Sequence, residues 1–272
     1  MEITVADIAK LRKMTGAGMM DCKNALAEAN GDFDRAQDII REKGKLVASK
    51  RADRTATEGV VVAEVKGSKA YMLCLACETD FVAKNEEFGA SAREMLNLAV
   101  QHDVADMDAL LTLKMGNGTV ADAVTAKSGQ TGEKVELPFY GRIEAPMCEF
   151  YVHTNKKLGT LVGFNRKISE TVAHDVAMQA TAMAPVAINR ASCPPEVIER
   201  ERQIGREQAR LDGKPEAMLD KIAEGKLNKF FAESTLLEQA FVKDPKQTVE
   251  TYIHAADKEA TVVAYQRFSL ND

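Results

Sequence analysis

Directly after the apolar run Tyr71–Ala76 stands Cys77-Glu78-Thr79-Asp80-Phe81-Val82-Ala83-Lys84-Asn85, where acid, hydroxyl, acid and a large aromatic follow a buried strand. This pattern puts a charged tip at the lip of a sheet, and loops held at strand ends by a rigid scaffold are where function concentrates. Asp80 is a candidate N-cap for the following turn. Phe81 either packs into its own domain, as apolar residues near helix starts commonly do, or projects as a wedge. Cys74-Leu75-Ala76-Cys77 is formally a C-x-x-C. Redox or zinc chemistry needs that spacing at a helix start or beside a second ligand set, and here it lies within an apolar strand. Two buried small hydrophobes are the simpler reading. His102, His174 and His254 have no partner spacing that suggests metal or catalysis. His153 ends a predicted strand before a turn, where a lone histidine is usually a satisfied structural residue. The chain contains no G-x-x-x-x-G-K-[ST], which disfavours a nucleotide-binding enzyme.

The elements that must position these residues are legible from period and punctuation. Residues 1–44 read as three short helices forming a docking module. Thr4 and Asp7 make a capping-box-like pair before Val5, Ile8 and Leu11, and Thr15-Gly16-Ala17-Gly18 is a flexible break. Cys22, Ala25, Leu26 and Ala29 recur at helical spacing before the stop Asn30-Gly31, and Ala36, Ile39 and Ile40 mark a third helix stopped by Gly44. Residues 45–58, with Lys45, Lys50, Arg51 and Arg54, read as a helical or partly ordered linker. From Gly59 the period changes to two. Val60–Val65 and Tyr71–Cys77 flank Lys66-Gly67-Ser68-Lys69 as a hairpin whose second strand is apolar on both faces. Phe88, Ala92, Met95, Leu96 and Ala99 form a helical stripe to cover it.

The same order recurs later. Glu149–His153 and Leu158–Phe164 are strands, followed by a helix carrying Val172, Val176, Ala180 and Met183. The core thus comprises two α+β subdomains, 59–140 and 141–272. Within the second, Val197, Ile204 and Leu211 are spaced by seven. Asp212-Gly213-Lys214-Pro215 is a turn, and Met218, Leu219, Ile222, Ala223 and Leu227 form a second stripe. Residues 196–231 are therefore expected to make an antiparallel coiled-coil hairpin that projects from the body. Thr261–Phe268 supplies a final strand.

Composition narrows the class. At 272 residues, 45% apolar and 28% charged, the chain is an ordinary globular sequence able to bury a sizeable core. A net charge of −5 argues against a whole-surface nucleic-acid binder. No apolar run is long enough to span a bilayer, and Met1-Glu2-Ile3-Thr4 lacks the features of a signal peptide. Five irregularly spaced cysteines give no disulfide framework, so a reduced, cytoplasmic protein is expected.

Two segments are specific enough to carry a resemblance. One is Leu11-Arg12 followed by Thr15-Gly16-Ala17-Gly18-Met19-Met20-Asp21-Cys22-Lys23, with Ala25-Leu26 behind it. The other is Thr79-Asp80-Phe81-Val82-Ala83-Lys84. With Ala217–Phe230, Leu237-Glu238-Gln239 and Phe241-Val242-Lys243-Asp244-Pro245, in this order, the chain resembles the bacterial elongation factor Ts family over nearly its whole length. It departs from the family at 136–142, which lacks the paired arginines common there.

The resemblance implies an α+β fold, with an N-terminal three-helix module similar to ubiquitin-associated domains and a two-subdomain core bearing the coiled coil. It implies a nucleotide exchange factor, not an enzyme, whose partner is the GTPase elongation factor Tu. Thr79, Asp80, Phe81 and Val82 would form the wedge that disturbs the partner's magnesium and phosphate site. Arg12, Met19, Met20, Lys23 and His153 would contact the partner. A three-helix module needs a core, so one of the two methionines is expected to face it. No cofactor, metal, nucleic acid or membrane is implied, and an oligomeric complex with the GTPase is compatible. Two rival readings are an adaptor built on the N-terminal module, which leaves 59–272 unexplained, and a thiol oxidoreductase using Cys74 and Cys77.

Overall fold

The computed structural model describes residues 3–271. Met1 and Glu2, read above for a leader, and Asp272, the end of the second subdomain, lie outside the described residues. By their contacts the residues divide into two compact units. One holds the chain through Val62, Leu73–Tyr140 and the chain from Leu270; the other holds Ala63–Met72 and Gly141–Ser269.

The first unit begins with three helices, α1 (Val5–Thr15), α2 (Met19–Glu28) and α3 (Phe33–Lys50). The capping box is present: the Asp7 amide donates to Thr4 Oγ1 (3.2 Å), and the Thr4 amide donates to Asp7 Oδ2 (3.0 Å). Gly16, with φ of 68°, ends α1 in the left-handed region, and its amide donates to the Arg12 carbonyl (2.7 Å). Ile8, Leu11, Cys22, Ala25, Leu26 and Ala36 form a small core. One boundary differs from expectation. Gly44 does not stop the third helix, which runs on to Lys50 through the first half of the expected linker. The glycine is buried in mid-helix and does not take a positive φ, so it supplies no turn.

Next come β1 (Glu58–Lys66) and β2 (Lys69–Cys77), the short helix α4 (Asp80–Ala83) and α5 (Glu86–Gln101). β2 is buried from Ala70 to Cys77, in keeping with its two apolar faces. The stripe on α5 (Phe88, Ala92, Met95, Leu96 and Ala99) is buried throughout. Then follow α6 (Met107–Thr112), a minimal hairpin of β3 (Lys114–Met115) with β4 (Gly118–Thr119), α7 (Val120–Thr131) and β5 (Glu136–Glu144). None of these was assigned above. α6, β3 and β4 are too short for a period to show, Pro138 and Gly141 interrupt the alternation of β5, and α7, rich in Ala, Gly, Ser and Thr, has a weak stripe. β5 adds to the hairpin in a sheet of order β1-β2-β5.

The second unit contains β6 (Met147–Val152), β7 (Leu158–Phe164), α8 (Glu170–Met183), α9 (Pro195–Leu211), α10 (Glu216–Ser234), β8 (Ala240–Phe241), β9 (Asp244–Thr248), α11 (Val249–Ala256) and β10 (Val262–Ser269). The expected final strand pairs antiparallel with β7, giving the order β10-β7-β6. Val162 and Phe164 of β7 meet Val172, Val176 and Ala180 of α8 in one apolar cluster with Leu236, Phe241 and Ile253.

Helices α9 and α10 run antiparallel, joined by ion pairs Arg206–Asp220 (3.1 Å) and Arg210–Glu216 (2.9 Å). Their seam is not the one the spacing by seven indicated. Leu211 is 85% exposed and Ile204 is also exposed, whereas Gly205 and Ala209 are buried. A Cβ on Gly205 would come within 3.2 Å of Ala223 Cα, so the helices meet through small residues that admit close backbone approach. On α10 the buried series is Leu219, Ala223, Leu227 and Phe231, with Met218 exposed.

Candidate functional site

The hallmark that follows β2 folds as a single helical turn between two caps. Thr79 is extended (φ −119°, ψ 153°), and its Oγ1 accepts from the Val82 amide (3.5 Å). Asn85 then caps α5, its Oδ1 accepting from the Glu87 amide (2.8 Å). The N-cap is thus Thr79 and not Asp80, because the hydroxyl stands one residue before the first helical position. Asp80 instead pairs with Lys84 one turn on (2.6 Å), which holds its carboxyl below the usual carboxylate range. Phe81, on the same turn, is 85% exposed and does not pack into its own domain.

Two carboxylates anchor this turn. Glu133 Oε2 accepts from the backbone amides of Glu78 (3.1 Å) and Thr79 (3.0 Å), and its Oε1 accepts from Thr79 Oγ1 (2.6 Å). In return, Glu78 Oε1 accepts from the Lys134 amide (2.6 Å), while Arg51 Nη1 donates to both Glu78 oxygens (3.1 and 3.0 Å). Each segment therefore grips the other's backbone, and charge-assisted bonds of this kind are among the stronger ones. The anchor gives the turn a rigid base beneath an exposed apolar tip.

The Glu78 carboxyl sits below its ordinary value of 4.5, chiefly through the Lys134 amide and then through Arg51. A group with a depressed folded-state pKa contributes stability that is present above the unfolded value and is lost as pH falls through the folded one. The melting-temperature difference between the native chain and Glu78→Gln is therefore expected to be widest near neutrality. It should close as the pH falls below 4.5. A difference constant across that range would mean the carboxylate charge is not what holds the turn.

The N-terminal hallmark lies in the same unit. Arg12 is exposed in the last turn of α1, and Lys23 is exposed on α2. Met19 (53% exposed) and Met20 (63% exposed) both face outward, which corrects the expectation that one of them fills the module's core. Cys22, Ala25 and Leu26 already occupy that core. A groove of 330 Å³ brings the two hallmarks together: Arg12, Gly16 and Gly18 line one part of it, Phe81 and Val82 another. His153 belongs to the second unit, exposed just past β6, where its amide donates to the Leu158 carbonyl (2.9 Å) and its ring nitrogen approaches Tyr151 Oη (3.4 Å).

The C-x-x-C reading does not survive the geometry. Cys74 and Cys77 are both buried, and burial pushes the Cys74 thiol up to about 12, so it carries almost no thiolate near neutrality. Cys22, Cys148 and Cys193 are buried too. A thiol reagent such as Ellman's is expected to modify none of the five promptly in the native state and all five in denaturant. Fast native reaction of Cys74 or Cys77 would reopen thiol chemistry. Among the described residues no group of three or more His, Cys, Asp or Glu is placed to hold a metal ion, and no helix is long and apolar enough to cross a membrane.

Sequence reasoning missed Glu133, Arg51 and the role of Lys84. The last had a signal, since an acid and a lysine four apart on a helix pair readily. Glu133 had none, because it stands more than fifty residues from the turn it holds.

Fold and site together define an α+β protein whose distinguishing side chains are presented outward from anchored turns instead of being enclosed in a cleft. Comparison with known proteins makes this specific. The family model described as Elongation factor TS matches residues 78–272. Relatives named Elongation factor Ts include one from Porphyromonas gingivalis, 49% identical over 272 residues, spanning 100% of this chain and 99% of the relative. Others come from Christiangramia forsetii (43% over 273 residues) and Bacteroides thetaiotaomicron (40% over 327), each with 99% of both chains covered. The chain belongs to the elongation factor Ts family.

Proposed function

We propose that this chain promotes release of GDP from the translational GTPase elongation factor Tu, acting in the cytoplasm as a non-covalent exchange factor and not as an enzyme. The observation that carries the reading is Phe81, a large aromatic 85% exposed on a turn clamped by Glu133 and Glu78. An exposed aromatic on a rigid base can enter a partner's site without first paying to become ordered.

In this reading Phe81 is the steric wedge, Thr79 caps and holds its turn, Asp80 orients the turn through Lys84, and Val82 shapes the tip. The target is the partner's magnesium and nucleotide-phosphate site, where the bound cation is the largest local positive charge. Weakening its coordination weakens the nucleotide's hold. Arg12, Met19, Met20, Lys23 and His153 contribute contacts that stabilise the nucleotide-free complex. Methionine suits an adaptable apolar surface, and the two cations add steering. Linkage then requires GDP to weaken binding of this chain by the factor by which the chain weakens binding of GDP, so the chain is released unchanged.

The three N-terminal helices, in this reading, are a docking module of the ubiquitin-associated type (1–44). The remainder is a linker (45–58) and two core subdomains (59–140 and 141–272), with 196–231 as a coiled coil. The test is release of a fluorescent GDP from purified bacterial elongation factor Tu in the presence of catalytic amounts of this chain. Acceleration is expected; a release rate equal to the spontaneous one with a matched partner would overturn the reading.

A further inference from the structure

Helix α7 ends on a four-residue segment that touches both hallmarks. Gln130 Nε2 donates to the Thr15 carbonyl (2.6 Å) across 115 positions of sequence. The same amide lies over Gly16, where a Cβ would come within 2.7 Å of Nε2. One residue earlier, Gly129 sits so close to α3 that its Cβ would fall 2.6 Å from Gly44 Cα. Three residues after Gln130, Glu133 holds Glu78 and Thr79 at the base of the wedge.

The Thr15 carbonyl is one of the last four of α1, which have no partner inside the helix. Water would satisfy it as far as α1 alone is concerned. A side chain from α7 adds a fixed direction. One end of 130–133 therefore holds the turn between Arg12 and Met19, and the other holds the turn that carries Phe81. Where two contact patches must engage one partner together, any looseness between them is an ordering cost met on binding.

We infer that the segment Gln130–Glu133 registers the N-terminal contact patch against the wedge, with Gln130 as a positioning residue. The inference rests on the proposed exchange function for its consequence, though not for its geometry. Gln130 touches no partner in this scheme; it acts by holding the turn at Thr15-Gly16.

Two measurements test it. In GDP release, Gln130→Ala is expected to raise the concentration of factor needed for half-maximal acceleration by about three- to tenfold, the worth of one net hydrogen bond. The maximal rate, set by the wedge, should hold. In a Met19→Ala/Met20→Ala background, where the N-terminal patch is already disabled, adding Gln130→Ala should cost nothing further. An equal loss in both backgrounds would make Gln130 a merely structural residue, and no loss in the native background would overturn the inference.

The second measurement needs no partner. All five native cysteines are buried, so spin labels can be directed to Lys13→Cys and Glu86→Cys, both at exposed positions. A single narrow distance distribution is expected, broadened or shifted by Gln130→Ala; an unchanged distribution would sink the registration. Broadening in a chain that fails to release GDP would keep the registration and remove the exchange reading instead.

Discussion

Replacing Phe81 by alanine is expected to remove most of the acceleration of GDP release, about thirtyfold, while leaving the melting temperature almost unchanged. The two halves of this result have separate causes. A central aromatic anchor in an interface is worth about 2 kcal/mol or more, and each ~1.4 kcal/mol of transition-state stabilisation is tenfold in rate. Phe81 is 85% exposed in the free chain, so truncating it removes little buried area, and surface substitutions of that kind stay within about 0.5 kcal/mol. Stopped-flow release of fluorescent GDP and a thermal melt on the same sample check both halves. Acceleration retained in the variant would move the mechanism to the wider interface. A large drop in melting temperature would mean that the side chain packs at home after all.

The second large effect is an asymmetry between two glycines that face each other. Gly129→Ala is expected to destabilise the chain by about 2 kcal/mol, whereas Gly44→Ala should be neutral or slightly stabilising. Both residues lie inside helices, where exchange of glycine for alanine gains about 1 kcal/mol of intrinsic propensity. At Gly44 the new methyl meets only ordinary contacts, the nearest being the Thr125 carbonyl oxygen at 3.6 Å. At Gly129 it would lie 2.6 Å from Gly44 Cα, and backbone cannot swing aside as a flexible side chain can. α3 and α7 would have to separate. Urea unfolding of both variants checks the sign of each change; equal behaviour of the two would mean the helices already have room to shift. Because the same approach seats Gln130 on Thr15, Gly129→Ala is also expected to lower exchange more than Gly44→Ala does.

Much of the fold was legible because it rests on local rules. The capping box Thr4/Asp7, the break at Gly16 and the stripe from Phe88 to Ala99 all stand where pattern put them. The hairpin of β1 and β2 also followed from alternation and punctuation, and β-like composition marked the last strand, although its pairing with β7 came only from the structure. The failures share a cause. From sequence, Gly44 reads as a stop and Leu211 as part of a seam because local propensity and period carry no information about the partner a helix will pack against. On α9 the small residues Gly205 and Ala209 make the real seam, against Ala223 of the stripe that the pattern does mark on α10, and no hydrophobicity count singles out those two. The need of a three-helix module for a core predicts that one of Met19 and Met20 faces inward; the smaller Cys22 and Ala25 fill that space instead.

By itself the sequence determined the family, through two motifs in fixed order, together with the element types that period and capping dictate. It also placed Thr79, Asp80, Phe81 and Val82 at the end of a buried strand. Only the tertiary structure decided that Phe81 faces solvent, that Thr79 and not Asp80 caps its turn, and that Glu133, Glu78 and Arg51 hold the turn in place. It alone showed that Gln130 bonds to Thr15 while Glu133, three residues on, holds Glu78 and Thr79. The physical reason is range: caps, stripes and turns are chosen within a few residues, whereas an ion pair or hydrogen bond between residues 51 and 78, 79 and 133, or 15 and 130 exists only once the backbone has brought them together.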